Sequence, residues 1–144
     1  MRFMIIVKAT TDSEEKIMPS EELYSAMQKY HEELARAGVL LDRAGLQPSS
    51  NGIRLSYPIP GEKPKVIDGP FTEAKELIAG YTLIEVKSKE EAIEWAHRYP
   101  DPHGFGQGEI ELRPLYEAGD LTINSELLEK DAKLDKRVEE QKKT

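Results

Sequence analysis

Asp68-Gly69-Pro70-Phe71, followed by Thr72-Glu73-Ala74-Lys75-Glu76, puts a carboxylate, an aromatic ring and three further ionisable groups into one short connection. Gly-Pro breaks regular structure, so these groups belong to a loop. A plain surface connection needs neither an anchoring Phe nor this many charges, which makes the segment a candidate for function. Asp68 is the candidate catalytic acid or base; the competing role for its carboxylate is to cap the Gly69-Pro70 turn. Lys75 between Glu73 and Glu76 forms either part of a polar site or a solvated surface network.

The remaining candidates are ligand-binding residues on strands. Glu111 and Arg113 lie two residues apart and so share a strand face, where they either enter a pocket or form a structural ion pair. Arg54 offers a planar donor to an anionic ligand, or is an edge charge. Tyr81 can stack on a ligand or pack in the core. His31 reads as a surface or boundary residue of a helix. His97, Asp101 and His103 do not follow a metal-binding spacing, so no metal site is expected. Gly104-Phe105-Gly106-Gln107-Gly108 follows a helix and precedes a strand, the reverse of a dinucleotide loop, and no cofactor is expected. No Ser-His-Asp or paired-carboxylate signature stands out.

The elements that must position these groups follow from periodicity. Phe3 to Ala9 reads as a strand apolar on both faces. Leu23, Met27, Tyr30, Leu34 and Ala37 recur at steps of four and three, a helix capped by Ser20 and ended by Gly38. Val39 to Leu46 is a second strand, and Ile53, Leu55 and Tyr57 alternate with Arg54 and Ser56 as a third. Pro58, Pro60, Gly61 and Pro64 make the next piece irregular. Tyr81 to Lys87 is a further strand. Ser88 and Glu91 open a second helix, which Pro100 stops. Glu109 to Leu115 is the last strand. The order β-α-β, irregular β, β-α-β is that of a ferredoxin-like α+β fold, a split βαβ sheet with helices on one face.

The chain of 144 residues suits one domain, residues 1–117, followed by a charged extension, 118–144. Leu127, Leu134 and Val138 give that extension helical spacing, with a disordered end expected over its last residues. Net charge is −7, against a nucleic-acid partner, which needs a basic face. Cysteine is absent, which removes disulfides and thiolate chemistry and fits a cytoplasmic location. Phe3 to Val7 is too short for an export signal, and no run approaches the ~20 apolar residues of a membrane span. Two helices cover one sheet face only. Apolar groups on both faces of two strands therefore call for a second copy, a homodimer packed sheet to sheet.

The loop with its neighbours resembles the signature of the DGPF branch of the YCII-related family. Ala37-Gly38-Val39-Leu40, Gly45-Leu46-Gln47-Pro48-Ser49 and Gly80-Tyr81-Thr82-Leu83-Ile84-Glu85-Val86 agree in order and spacing. So do Glu90-Glu91-Ala92-Ile93-Glu94-Trp95-Ala96 and Gly108 to Leu115. The resemblance implies a dimeric α+β barrel. It also brings a His–Asp pair proposed as the site of some members, and ring dehalogenase or lyase activity in a few relatives. Genes of the branch often lie beside extracytoplasmic-function sigma factors. This chain departs from the pattern: the proposed His falls near Met27, and His31 stands one turn later.

The combined expectation is a small polar organic ligand in an inter-sheet pocket, with acid–base chemistry of isomerase or lyase type. Asp68 would be catalytic, and Arg54, Tyr81, Glu111 and Arg113 would bind. The alternative is a non-catalytic regulatory or interaction module in a sigma-factor or stress context.

Overall fold

The computed structural model describes residues 1–104 and 106–143, and at Lys75 the main chain alone. Strand β1 (Arg2–Lys8) leads through a short helix α1 (Thr11–Glu14) to α2 (Glu21–Arg36), then β2 (Leu40–Gly45). A hairpin follows, β3 (Ile53–Ser56) and β4 (Lys65–Asp68). Then come β5 (Ile78–Glu85), α3 (Lys89–His97), β6 (Ile110–Pro114) and α4 (Ser125–Lys142). The main sheet has the order β2-β5-β1-β6, antiparallel at each pairing. In chain order these are the second, third, first and fourth strands of the sheet, which is the ferredoxin-like arrangement of a split βαβ unit.

Local chemistry sets the helix ends. Ser20 Oγ accepts from Leu23 N at 3.1 Å, and Gly38, at φ +74, supplies the left-handed residue after α2. Ser88 Oγ accepts from Glu91 N at 3.1 Å, while the Glu91 carboxylate accepts from Lys87 N at 2.9 Å, one residue before the cap.

Both main helices lie on one face. Phe3, Ile5, Ile84 and Val86 from the sheet bury against Tyr30 and Leu34 of α2 and Ala92 of α3. Fully burying such a side chain contributes about 1.5–3 kcal/mol, so this cluster holds the helices to the sheet. The Tyr30 hydroxyl donates to Trp95 O at 2.6 Å and thereby ties α2 to α3.

Three expectations change. The strand at Ile53 does not join the main sheet: it pairs only with β4, and Ile53, Leu55 and Val66 stay exposed. The loop before α2 contains α1, closed by a reciprocal cap in which Ser13 N donates to Thr10 Oγ1 at 3.2 Å and Thr10 N to Ser13 Oγ at 2.9 Å. The extension is helical through Lys142, further than its few apolar anchors suggested, with Asn124 Oδ1 accepting from Leu127 N at 2.9 Å. Its Leu127, Leu134 and Val138 remain exposed.

Candidate functional site

The sequence-predicted site residues separate into three places. Glu111 and Arg113 are joined by an ion pair on the sheet face away from the helices, opposite Ile6 and Met4 of β1. Arg54 lies on the hairpin, its guanidinium 3.9 Å from the centre of the Phe71 ring. Asp68 ends β4, exposed, paired through its backbone with Ile53. Within one chain no described hydrogen bond or ion pair links Asp68 to Arg54, Glu111 or Arg113. Tyr81, half-buried on β5, donates its hydroxyl to Asp42 Oδ2 at 3.2 Å. The side chain of Lys75 and all of Phe105 lie outside the described residues.

The Asp68–Phe71 loop is held by backbone packing and a short polar chain. A Cβ on Gly69 would stand 1.7 Å from the Ser49 carbonyl oxygen, so only glycine permits this approach. Phe71 N donates to Ser49 Oγ at 3.0 Å, and Ser49 N donates to Glu14 Oε2 at 2.9 Å. Ser49 Oγ also donates to Glu14 Oε1. Glu14 of α1, the Gln47-Pro48-Ser49 turn and the Gly69-Pro70-Phe71 turn are thus one clasp. Its groups bond to one another, and the Asp68 carboxylate takes no side-chain part in it among the described residues.

A cavity of about 790 Å³ opens between α1, α2, β2, β5 and the loop after α3. That volume falls within the ~300–1,000 Å³ of small-molecule sites. Leu23, Met27, Tyr24 and Tyr99 make much of its wall apolar and aromatic, and His31, Arg43 and Thr82 supply polar groups. His31 was expected at the surface or its boundary; it is 8 % exposed, on the same face of α2 as Met27 and Leu34. Its Nε2 lies 2.8 Å from Thr82 Oγ1. Thr82 is 1 % exposed, and its hydroxyl lies near the Tyr99 phenol. Burial pushes the Tyr99 pKa up, and the nearby Thr82 hydroxyl partly opposes it.

The result is a buried Thr82–His31 pair with the half-buried Tyr99 ring beside it. His31 Nδ1 has no hydrogen-bond partner, and no other described buried side-chain nitrogen or oxygen shares that state. Burial first, and the nearby Arg43 second, hold the His31 pKa below its ordinary value; a weak hydrogen-bonding contact with the Met27 carbonyl one turn back, too poor in geometry to satisfy Nδ1, opposes them. The neutral ring has two tautomers. If Nε2–H donates to Thr82, Nδ1 carries a lone pair and can accept a proton. If Thr82 donates to Nε2, Nδ1–H is a donor.

Arg43 reaches this wall because of a register shift. Leu40 pairs with Ile84 and Asp42 with Leu83, leaving Leu41 as an extra residue. Beyond the shift, Arg43 faces Thr82 on the helix side and Asp42 faces the other way. Simple alternation from Leu40 would give the opposite result. His31 could have been found from its spacing, four after Met27 and three before Leu34. Arg43 could not.

On the far rim, Lys16 holds φ +64, which a non-glycine residue adopts at a cost. His103 Nε2 meets Lys8 O at 2.8 Å, and the Asp101 carboxylate accepts from the backbone of His103, Gly104 and Gly106. Those bonds pull the Asp101 pKa down and shape the loop that closes this side.

The YCII-related domain model matches residues 1–118. An uncharacterised protein of Rhizobium meliloti (strain 1021) is 34% identical over 112 residues, 76% of this chain and 83% of that protein. The chain belongs to the YCII-related family. A solved structure, 5-chloro-2-hydroxyhydroquinone dehydrochlorinase from Burkholderia phenoliruptrix AC1100 in complex with 2,5-dihydroxybenzoquinone, is 16% identical with a TM-score of 0.41. The match covers 84% of this chain and all of that one. A likeness of that size bears on neither site nor reaction.

Proposed function

We propose that this YCII-related protein binds a small polar organic molecule in the cavity between α2, β2 and β5 and moves a proton there, with His31 as acid or base. One observation carries this reading: a buried, neutral imidazole on a cavity wall, tethered through one nitrogen to Thr82 and unpartnered at the other. A ligand group would supply the missing partner after a small turn of the ring. Burial and the Arg43 charge lower the His31 pKa and so favour the neutral ring, the form that can take a proton. Tyr81 borders the cavity on β5, but its hydroxyl is bound to Asp42 on the other sheet face, so this reading does not use its side chain as a ligand contact. In isomerase chemistry His31 would take a proton from one atom of the ligand and return it to another; in lyase chemistry it would take the proton while the ligand loses a leaving group with its electron pair.

This reading moves the site from the inter-sheet face to the helix side. On the open face, Met4, Ile6 and Leu83 are half-buried beside the Glu111–Arg113 pair. We assign that face to a second copy, in a cytoplasmic homodimer of the DGPF branch, and the hairpin with Arg54 and Asp68 to its edge. A thermal-shift screen against small carboxylates, phenols and lactones tests the site. Binding raises the melting temperature by RT ln(1 + [L]/Kd). The shift, and any turnover of a hit, should vanish in His31→Gln. Equal shifts in both proteins would remove His31 from the site.

One observation favours a second reading for residues 118–144 alone. The helix α4 exposes Leu127, Leu134 and Val138, as a contact arm of a regulatory or interaction module would. Unchanged partner binding after deletion of 118–144 would remove that reading.

A further inference from the structure

The chemical class of the ligand is constrained by the cations of the same cavity. This inference rests on the cavity reading above. Arg43, His31 and Gln28 line both the large cavity and a smaller hollow of about 200 Å³ on its other side. They form the partition between the two. Among the described residues the Arg43 guanidinium has no ion pair and no side-chain hydrogen bond; only its backbone N–H is engaged, at 2.8 Å from Asp42 Oδ1. The register shift at Leu41 turns it toward the helix side, over Thr82. Bulges commonly re-aim a side chain beside a functional site.

Lys16 stands on the opposite rim in its left-handed backbone conformation. It too has no described ion pair. Against these two cations the large cavity has one carboxylate on its wall, Asp12. A chain of net charge −7 therefore keeps its cations in excess at this opening.

We propose that the cavity takes an organic anion, a small carboxylate or an enolate of similar size, with Arg43 holding the negative group. Arg43 presents a planar fork that matches a carboxylate edge with two parallel hydrogen bonds. Lys16 adds a longer-range attraction at the entrance, which salt screens. The apolar and aromatic wall, Tyr24 and Tyr99 among it, covers the carbon body of the ligand. His31, beside Arg43, is left to act on an atom next to the anionic group. An anion on Arg43 also removes the repulsion that Arg43 exerts on a protonated His31, so binding and proton uptake by His31 reinforce each other.

Matched pairs test the class. Benzoate, salicylate, pyruvate and 2-oxoglutarate are titrated beside their neutral amides, with backbone and Arg side-chain NMR signals as the readout. The carboxylates should bind at least ten-fold tighter than the amides and move the Arg43 Nε–H and Thr82 signals. Arg43→Gln should abolish that preference while leaving amide binding unchanged. Lys16→Gln should reduce only its salt dependence. Arg43 is exposed, so its replacement should leave the fold intact, checked by an unchanged spectrum away from the cavity.

Amides that bind as tightly as carboxylates, with both lost in His31→Gln, would overturn the anion class and leave the cavity reading standing. An unchanged preference in Arg43→Gln would likewise overturn it. Absence of binding by every compound of both kinds would overturn both.

Discussion

The Asp68–Phe71 loop and the His31 wall both place polar groups in confined surroundings, but they treat them in opposite ways. In the loop, Phe71 N, Ser49 and Glu14 bond to one another, and Gly69 lies too close to the Ser49 carbonyl to admit a side chain. In the wall, His31 Nδ1 is buried with no partner and Arg43 has no ion pair among the described residues, both beside a cavity. A fully satisfied cluster stabilises and specifies a shape. An unsatisfied buried group costs stability, about 1–3 kcal/mol, and its persistence calls for a use. In the proposed reading the conspicuous motif serves as a structural clasp and the inconspicuous histidine as the acid or base.

Breaking the clasp should produce the largest loss of stability. Gly69→Ala forces a backbone rearrangement and should cost about 3 kcal/mol or more, read as a lower urea midpoint. Ser49→Ala should follow. It leaves a half-buried Glu14 carboxylate and the Phe71 N–H short of partners, at about 1–3 kcal/mol. If either variant is as stable as the parent, the clasp is not structural.

The wall should behave the other way. His31→Gln keeps a polar group against Thr82 and should change stability by less than about 1.5 kcal/mol, yet abolish the ligand-induced shift. A variant that unfolds instead would make His31 a core residue like its neighbour Leu34.

Titration sharpens the contrast. The folded pKa of His31 lies below its ordinary value near 6.5, so the unfolded chain takes up that proton first as pH falls. The stability tied to neutral His31 is present above that value and is lost as pH drops from about 7 toward the lower folded pKa. Urea midpoints should therefore decline over that window in the parent and decline less in His31→Gln. The stability tied to Asp101 and Glu117, whose pKa values are lowered by backbone hydrogen bonds and by Arg2 respectively, is present throughout this window and is lost only at more acid pH. The smallest effect should come from Asp68→Asn, within about 0.5 kcal/mol and with the ligand response intact.

Much of the fold was legible in the chain. The steps of four and three from Leu23 to Ala37, the Ser20 and Ser88 caps and the apolar runs at Phe3 and Thr82 set four strands and two helices, because short-range periodicity decides them. The separate hairpin was not legible, since alternation at Ile53–Tyr57 says nothing about which strand it pairs with. The candidate site was harder. His31 carried a spacing signal outweighed by the expectation that a helix histidine is exposed. Arg43 carried none, because one extra residue at Leu41 inverts the faces of β2. The loop drew attention by its density of ionisable groups, which reports composition and not convergence.

The most direct measurement maps a bound ligand onto the backbone. With the strongest hit of the ligand screen, amide signals of the protein are followed by NMR through a titration. The account predicts that the largest changes cluster at His31, Arg43, Gly80 and Thr82, while Asp68, Gly69 and Phe71 stay unmoved. Changes centred on Arg54, Asp68, Glu111 and Arg113, with the cavity wall silent, would contradict it.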